Sequence, residues 1–132
     1  MAAVTMTAGP SLASVLPPQN CQIAGLLAGE AIPAGSLCYI KSDGKIWLST
    51  GAAANAAAKV DGIALQAAAV GESCTIYRHV VVRYGAGLTP GARLYLAVGA
   101  GGTIGDAAST GGTAPIGYVV DATRIHIHGS FY

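Results

Sequence analysis

The chain has 132 residues, of which 52% are hydrophobic and only 10% charged, with 19 glycines and a net charge of +1. That length suits one domain with a core of its own, needing neither metal nor disulfide to fold, and so weak a charge leaves no electrostatic footprint for nucleic acid or an anionic lipid surface. Mean hydropathy is +0.53, yet glycine and proline break every apolar run before it reaches the roughly 18 residues of a membrane helix, so no membrane partner is expected.

An ordinary soluble domain carries about a quarter of its residues as charges. A surface this poor in charge favours association, so the composition predicts a surface partly covered by other protein chains, copies of itself included.

Residues 1–20 carry no charge and hold three prolines, Pro10, Pro17 and Pro18. Proline fixes φ and removes a donor, which predicts an extended arm. A solvated tail would be more charged and less aliphatic. The arm is therefore expected to lie along a neighbouring chain, with Val4, Leu12, Val15, Leu16 and Pro17 as contact residues. The first basic residue is Lys41, so neither a secretory signal nor a transit peptide is predicted. Cys21, Cys38 and Cys74 are odd in number and form no CxxC pair. They read as small buried hydrophobes in a reducing compartment.

Beyond the arm, short apolar runs alternate with turn residues, as in a sandwich or barrel. The predicted strands are Leu37–Ile40, Ile46–Leu48, Gly62–Leu65, Cys74–Tyr77, His79–Tyr84, Arg93–Leu96, Ile116–Val120 and Arg124–His128. Asp43-Gly44 between the first two is a strong hairpin signal, because glycine supplies the positive φ that the turn needs. Ala52–Lys59 has helical propensity but is too short for more than a single turn or an ordered loop.

The chain also echoes itself. Ala31–Ile40 aligns with Gly87–Leu96, each an apolar residue, a Pro/Gly turn and a strand with tyrosine in the same place. Each copy continues through a glycine hairpin (Asp43-Gly44, Gly101-Gly102) to a strand marked by Gly62 or Gly117, at a period of about 56 residues. The predicted fold is thus all-β: a small β-barrel or β-sandwich over residues 21–132, internally duplicated in halves of about 26–77 and 84–128, with an extended N-terminal arm.

No catalytic constellation emerges, and no enzyme is expected. There is no Gly-x-Ser-x-Gly elbow on a strand-to-helix turn. Gly44-Lys45 is followed by Ile46, which breaks the phosphate-loop pattern, and Gly99–Gly105 misses the dinucleotide spacing. That glycine run reads as a hairpin. The carboxylates Glu30, Asp43, Asp61, Glu72, Asp106 and Asp121 lie in turn-like contexts where Asp bonds to nearby backbone. In Ile125-His126-Ile127-His128, the imidazoles at i and i+2 share one face of a strand. His126 and His128 are the weak candidates for a metal, with His79 the third imidazole of the chain. The preferred reading is a polar face opposite buried Ile125 and Ile127, with no metal and no cofactor. Trp47 reads as an interface or core anchor, since no basic groove accompanies it.

The blocks Gly29–Ile40, Asp43-Gly44-Lys45-Ile46, Val60–Leu65, Ala69–Glu72 and Thr75-Ile76, with their later counterparts Leu88–Gly91, Leu94–Leu96 and Ile116–Val119, resemble the short, Ala/Gly-rich bacteriophage head-decoration proteins over residues 26–128. The resemblance implies a structural cement protein, made in the host cytoplasm and bound to the outer surface of the virion capsid. Its implied partners are the major capsid protein and itself, as a homo-oligomer with a trimer favoured over a dimer, and no nucleic acid. The alternative is a phage tail or receptor-binding module that recognises a surface glycan.

Overall fold

The computed structural model describes residues 3–6, 9–12, 22–99 and 101–130, at Leu12 the backbone alone. The described strands form two antiparallel sheets. The first holds β2 (Gln22–Leu27), β3 (Ser36–Ile40), β4 (Ile46–Leu48), β5 (Gly62–Ala64) and β6 (Ser73–Tyr77), in the order β2-β6-β5-β3-β4. The second holds β7 (Val80–Arg83), β8 (Arg93–Leu96), β9 (Ile104–Gly105), β10 (Gly117–Val119) and β11 (Arg124–Ile127), in the order β7-β11-β10-β8-β9. A short strand β1 (Ser11–Leu12) joins its β7 edge. Raising each strand number of the first sheet by five reproduces the second. The fold is all-β and duplicated, one sheet per copy. The copies begin earlier than the sequence echo suggests, at Gln22 and Val80, because each opens with a strand that has no tyrosine-marked motif.

The duplicated turns follow their chemistry. Gly44 closes the β3–β4 hairpin at φ +81°, and Gly102 turns β8 into β9 at φ +79°, a region open to glycine at little cost. The Asp43 carboxylate accepts from the Lys45 N–H at 2.9 Å and fixes the first of these turns. Ala52–Lys59 condenses to one 3-10 turn, Ala56–Ala58, capped by the Asn55 side chain, which accepts from the Ala57 N–H at 3.0 Å.

Gly62 and Gly117 mark the same strand in the two copies, and both are buried. A Cβ at Gly62 would stand 2.8 Å from the Tyr77 carbonyl oxygen, and one at Gly117 would run into the His126 carbonyl oxygen. The repeat keeps glycine there because the backbone of the neighbouring strand occupies the space of a side chain.

Two apolar clusters form the interior. Leu37 and Ile63 from the first sheet, with Val60 just before β5, meet Val80, Val82, Leu94, Leu96, Ile104, Ile125 and Ile127 from the second. The other face of the first sheet encloses Ala28, Ile32, Cys38, Ile46, Cys74 and Ile76. β3 therefore buries both faces, Leu37 toward one cluster and Cys38 toward the other, and reads as a continuous apolar run instead of an alternating one. Cys38 and Cys74 are buried free thiols, as expected of small core residues. Cys21 lies outside the described residues.

Each copy is closed across its edges. In the first copy the chain after β2 crosses to β4, where the Gly29 N–H donates to the Ile46 carbonyl at 2.9 Å and Ala28 bridges Ile46. In the second copy the N-terminal segment takes that place. Ala3 bridges Gly105, the Val4 N–H donates to the Ile104 carbonyl at 3.0 Å, and Ser11 and Leu12 pair with Arg83 and Val82. Residues 3–4 thus lie at the β9 edge and residues 11–12 at the β7 edge of their own six-stranded sheet.

Two outcomes follow for stability. Gly117→Ala is expected to lower the unfolding free energy by about 1–3 kcal/mol through overpacking, whereas Gly44→Ala, with nothing within 4 Å, costs only its backbone strain of about 1–2 kcal/mol; urea unfolding of both variants checks the ranking. Deleting residues 1–12 bares the β7 and β9 edges together. The shortened protein should lose its urea midpoint and gain binding of a hydrophobic dye; an unchanged midpoint would show that the segment closes nothing.

Candidate functional site

The outward face of the six-stranded sheet gathers most of the chemistry in the second copy. Alternation along β11 sends Ile125 and Ile127 inward and leaves Arg124 and His126 outward. The same alternation sends Val81 and Arg83 outward from β7, Tyr118 from β10 and Arg93 from β8. Register sets these in rows. Arg93, Tyr118, His126 and Val81 lie opposite one another across four strands, and Arg124 lies opposite Arg83 in the next row.

Tyr118 and His126 stack, with ring centroids 4.9 Å apart and planes 16° from parallel. The His126 Nδ1 is buried and has no hydrogen-bond partner among the described residues. His128 lies 6.3 Å from His126, centroid to centroid, and its Nδ1 sits 2.8 Å from the Gly129 carbonyl. A carbonyl only accepts, so that bond selects the tautomer with the proton on Nδ1. Burial first, then the His128 and His79 imidazoles, hold the pKa of His126 below the ordinary imidazole value.

The imidazoles share a face as the sequence predicts. Among the described residues no group of three His, Cys, Asp or Glu side chains converges to hold an ion. The arginines beside the pair also set the wrong sign of field for a dication. Asp121 is the carboxylate that answers this field: it bonds the Arg124 Nε at 2.7 Å. Bonds from the Thr123 backbone first, then from the Arg124 side chain, pull its pKa down to about 2. Among the described residues Arg83 and Arg93 have no ion-pair partner.

The other expected contact residues are placed as follows. Val4 is half-buried and packs on the main cluster of its own chain. Leu12 pairs through its backbone with Val82. Val15, Leu16 and Pro17 lie outside the described residues. Trp47 is engaged locally. Its Nε1–H donates to the Asp43 carboxylate at 3.1 Å, Lys41 Nζ sits 4.2 Å from a ring centroid, and the indole fills the space beside Gly29. Trp47 clamps the β3–β4 hairpin.

Sequence reasoning missed the row of Arg93, Tyr118 and His126. Its members come from three strands whose register is a long-range property. It also missed Leu27 and Val70, which stand 45% and 68% exposed. They flank a single corner, where the Ala28 N–H donates to the Glu72 carbonyl and the Gly71 N–H to the Ala28 carbonyl.

The stacked imidazole makes stability depend on pH. The folded pKa of His126 lies below its unfolded value of about 6.5, so between those two values the unfolded chain binds more protons. Stability therefore rises with pH through that window and is lost as pH falls from the upper value toward the lower. His126→Phe should flatten this limb in urea midpoints measured from about pH 5 to 7; an unchanged slope would remove His126 as its source. No family model, no curated protein and no solved structure matches this chain.

Proposed function

We propose that this protein is a structural cement module that docks on a larger protein lattice, of the kind that decorates the outside of a bacteriophage head, and that it acts by binding alone. The observation that carries this reading is the exposed surface. Leu27, Val98 and Val70 stand 45%, 47% and 68% exposed on a chain with only 10% charged residues. Exposed apolar side chains with little surrounding charge mark protein-covered surface. The resemblance of the turn-and-strand blocks to head-decoration proteins supplies the lattice, and a homotrimer is the oligomer it favours.

The body suits that task. Two copies of one β-unit share a core, close-approach glycines hold their strands together, and the N-terminal segment ties two edges of one sheet. Such a body loses little conformational freedom on docking, so more of the contact energy is retained as affinity. A protein that binds the assembled lattice and not its dissociated form stabilises it by RT ln(1 + [L]/Kd), about 2.7 kcal/mol per site at a hundred times Kd. Repetition over many sites turns modest binding into mechanical reinforcement.

Two measurements test this. Light scattering after size exclusion should find a homo-oligomer, and the protein should co-sediment with empty phage heads. Leu27→Glu combined with Val70→Glu alters exposed positions only, so the fold should persist while association weakens by about tenfold or more. A wild-type chain that stays monomeric at high concentration and leaves heads unbound would overturn the reading.

A further inference from the structure

The outward face of the six-stranded sheet carries a charge arrangement that the fold does not need. Arg83 and Arg124 lie directly opposite each other on adjacent strands, and like charges so placed weaken a sheet. Asp121 neutralises Arg124, but Arg83 and Arg93 are exposed with no ion-pair partner among the described residues. Asp106, the other carboxylate of this half, follows β9, the neighbour of β8, and is itself engaged. Of the chain's four arginines, three therefore project from this one face. We infer that this face is the docking surface for an acidic protein surface, the arginines receiving carboxylates of the partner. The inference rests on the lattice-docking reading and gives that partner its chemistry.

Charge and geometry choose this occupant over others. In a two-fold contact between copies, these arginines would meet themselves. The carboxylates of the first copy are already engaged: Glu30 accepts from the Leu48 N–H, Asp43 from Lys45, Asp61 from Ile40 and Glu72 from Ala69. A single nucleic-acid strand would need an aromatic face turned outward for a base to stack on. The Tyr118 and His126 rings face each other instead, at a separation equal to the strand spacing of about 4.8 Å, so only ring edges are presented. The Tyr118 hydroxyl, beside guanidinium forks, matches carboxylates, which accept in pairs and in plane.

The test uses the whole protein and its Arg83→Ser/Arg93→Ser double variant, both positions being exposed. Fluorescence anisotropy measures binding of a labelled oligo-glutamate peptide and of labelled oligo-dT at low and at physiological salt, and circular dichroism confirms the fold. The expected result is peptide binding that weakens by about tenfold or more in the variant and falls with added salt. Amide shifts should move at residues 81–83, 93, 118 and 124–126. Equal peptide binding by both proteins, tighter binding of oligo-dT than of peptide, or shifts confined to other residues would each overturn the inference. Co-sedimentation with heads is run in parallel and judges the decoration reading separately: failure there with the peptide contrast intact removes the phage lattice but keeps the acid-binding face.

Discussion

The close approach of β10 to β11 sets both faces of the six-stranded sheet. Position 117 has no room for a Cβ because the His126 carbonyl oxygen lies in its path, and the two strands then pair with Gly117 opposite Ile127, Tyr118 opposite His126 and Val119 opposite Ile125. From that register the inward residues, Val119, Ile125 and Ile127, complete the core, while Tyr118 and His126 come into stacking distance outside. A register slip of one residue would exchange the two sets. The first copy meets the same constraint at Gly62 against Tyr77, so the duplicated glycine is the packing rule of the unit, used twice.

Duplication does not give two equal sheets, because closure differs. The first copy closes with chain that directly follows its opening strand, and the second borrows residues 3–4 and 11–12. An edge strand left bare offers unpaired N–H and C=O groups to any neighbouring chain. The N-terminal segment covers two such edges at once. Its extended, uncharged character was legible in the sequence, but its partner was not. Val4 and its neighbours state that the segment seeks apolar surface and strand edges, and nothing local distinguishes an edge of the same chain from that of another. The described part of the segment lies on its own body, and the expectation of a contact along a neighbour is not needed to explain Val4.

Much of the remaining fold could be read from local signals. Runs such as Leu37–Ile40 and Arg124–His128 carry the alternation or continuous apolarity of strands, and the Asp43-Gly44 turn forces its hairpin. The elements that escaped are those whose strand character comes from their partners. β2 contains Gly25 at φ +86° and a register irregularity between Ile23 and Leu26, so its period is broken where the pattern would be sought. β9 is two residues long and exists because β8 and the N-terminal segment flank it. The site divides in the same way. That His126 and His128 share a face follows from a period of two along one strand. That Tyr118, Arg93 and Arg83 join them follows only from cross-strand register.

Sparse charge changes what each charge does. On a surface crowded with both signs, an arginine is screened and paired, and its position carries little information. Here residues 22–77 place each of their carboxylates on a backbone N–H, and Asp61 also meets Lys59 at 3.4 Å, so the charges of that half serve the fold. Arg83 and Arg93 have no ion-pair partner among the described residues. Apolar residues such as Leu27 and Val70 bind without direction, in proportion to the area they cover, and by themselves would allow many orientations on a lattice. Unpaired guanidinium groups at fixed places on a rigid sheet cost little in the free protein, where water solvates them, and penalise any docked orientation that leaves them covered without an anion. On the proposed docking reading, affinity would come from apolar area and orientation from a few charges, a division of labour that this composition permits and that would locate specificity on the sheet face and not at the apolar corner.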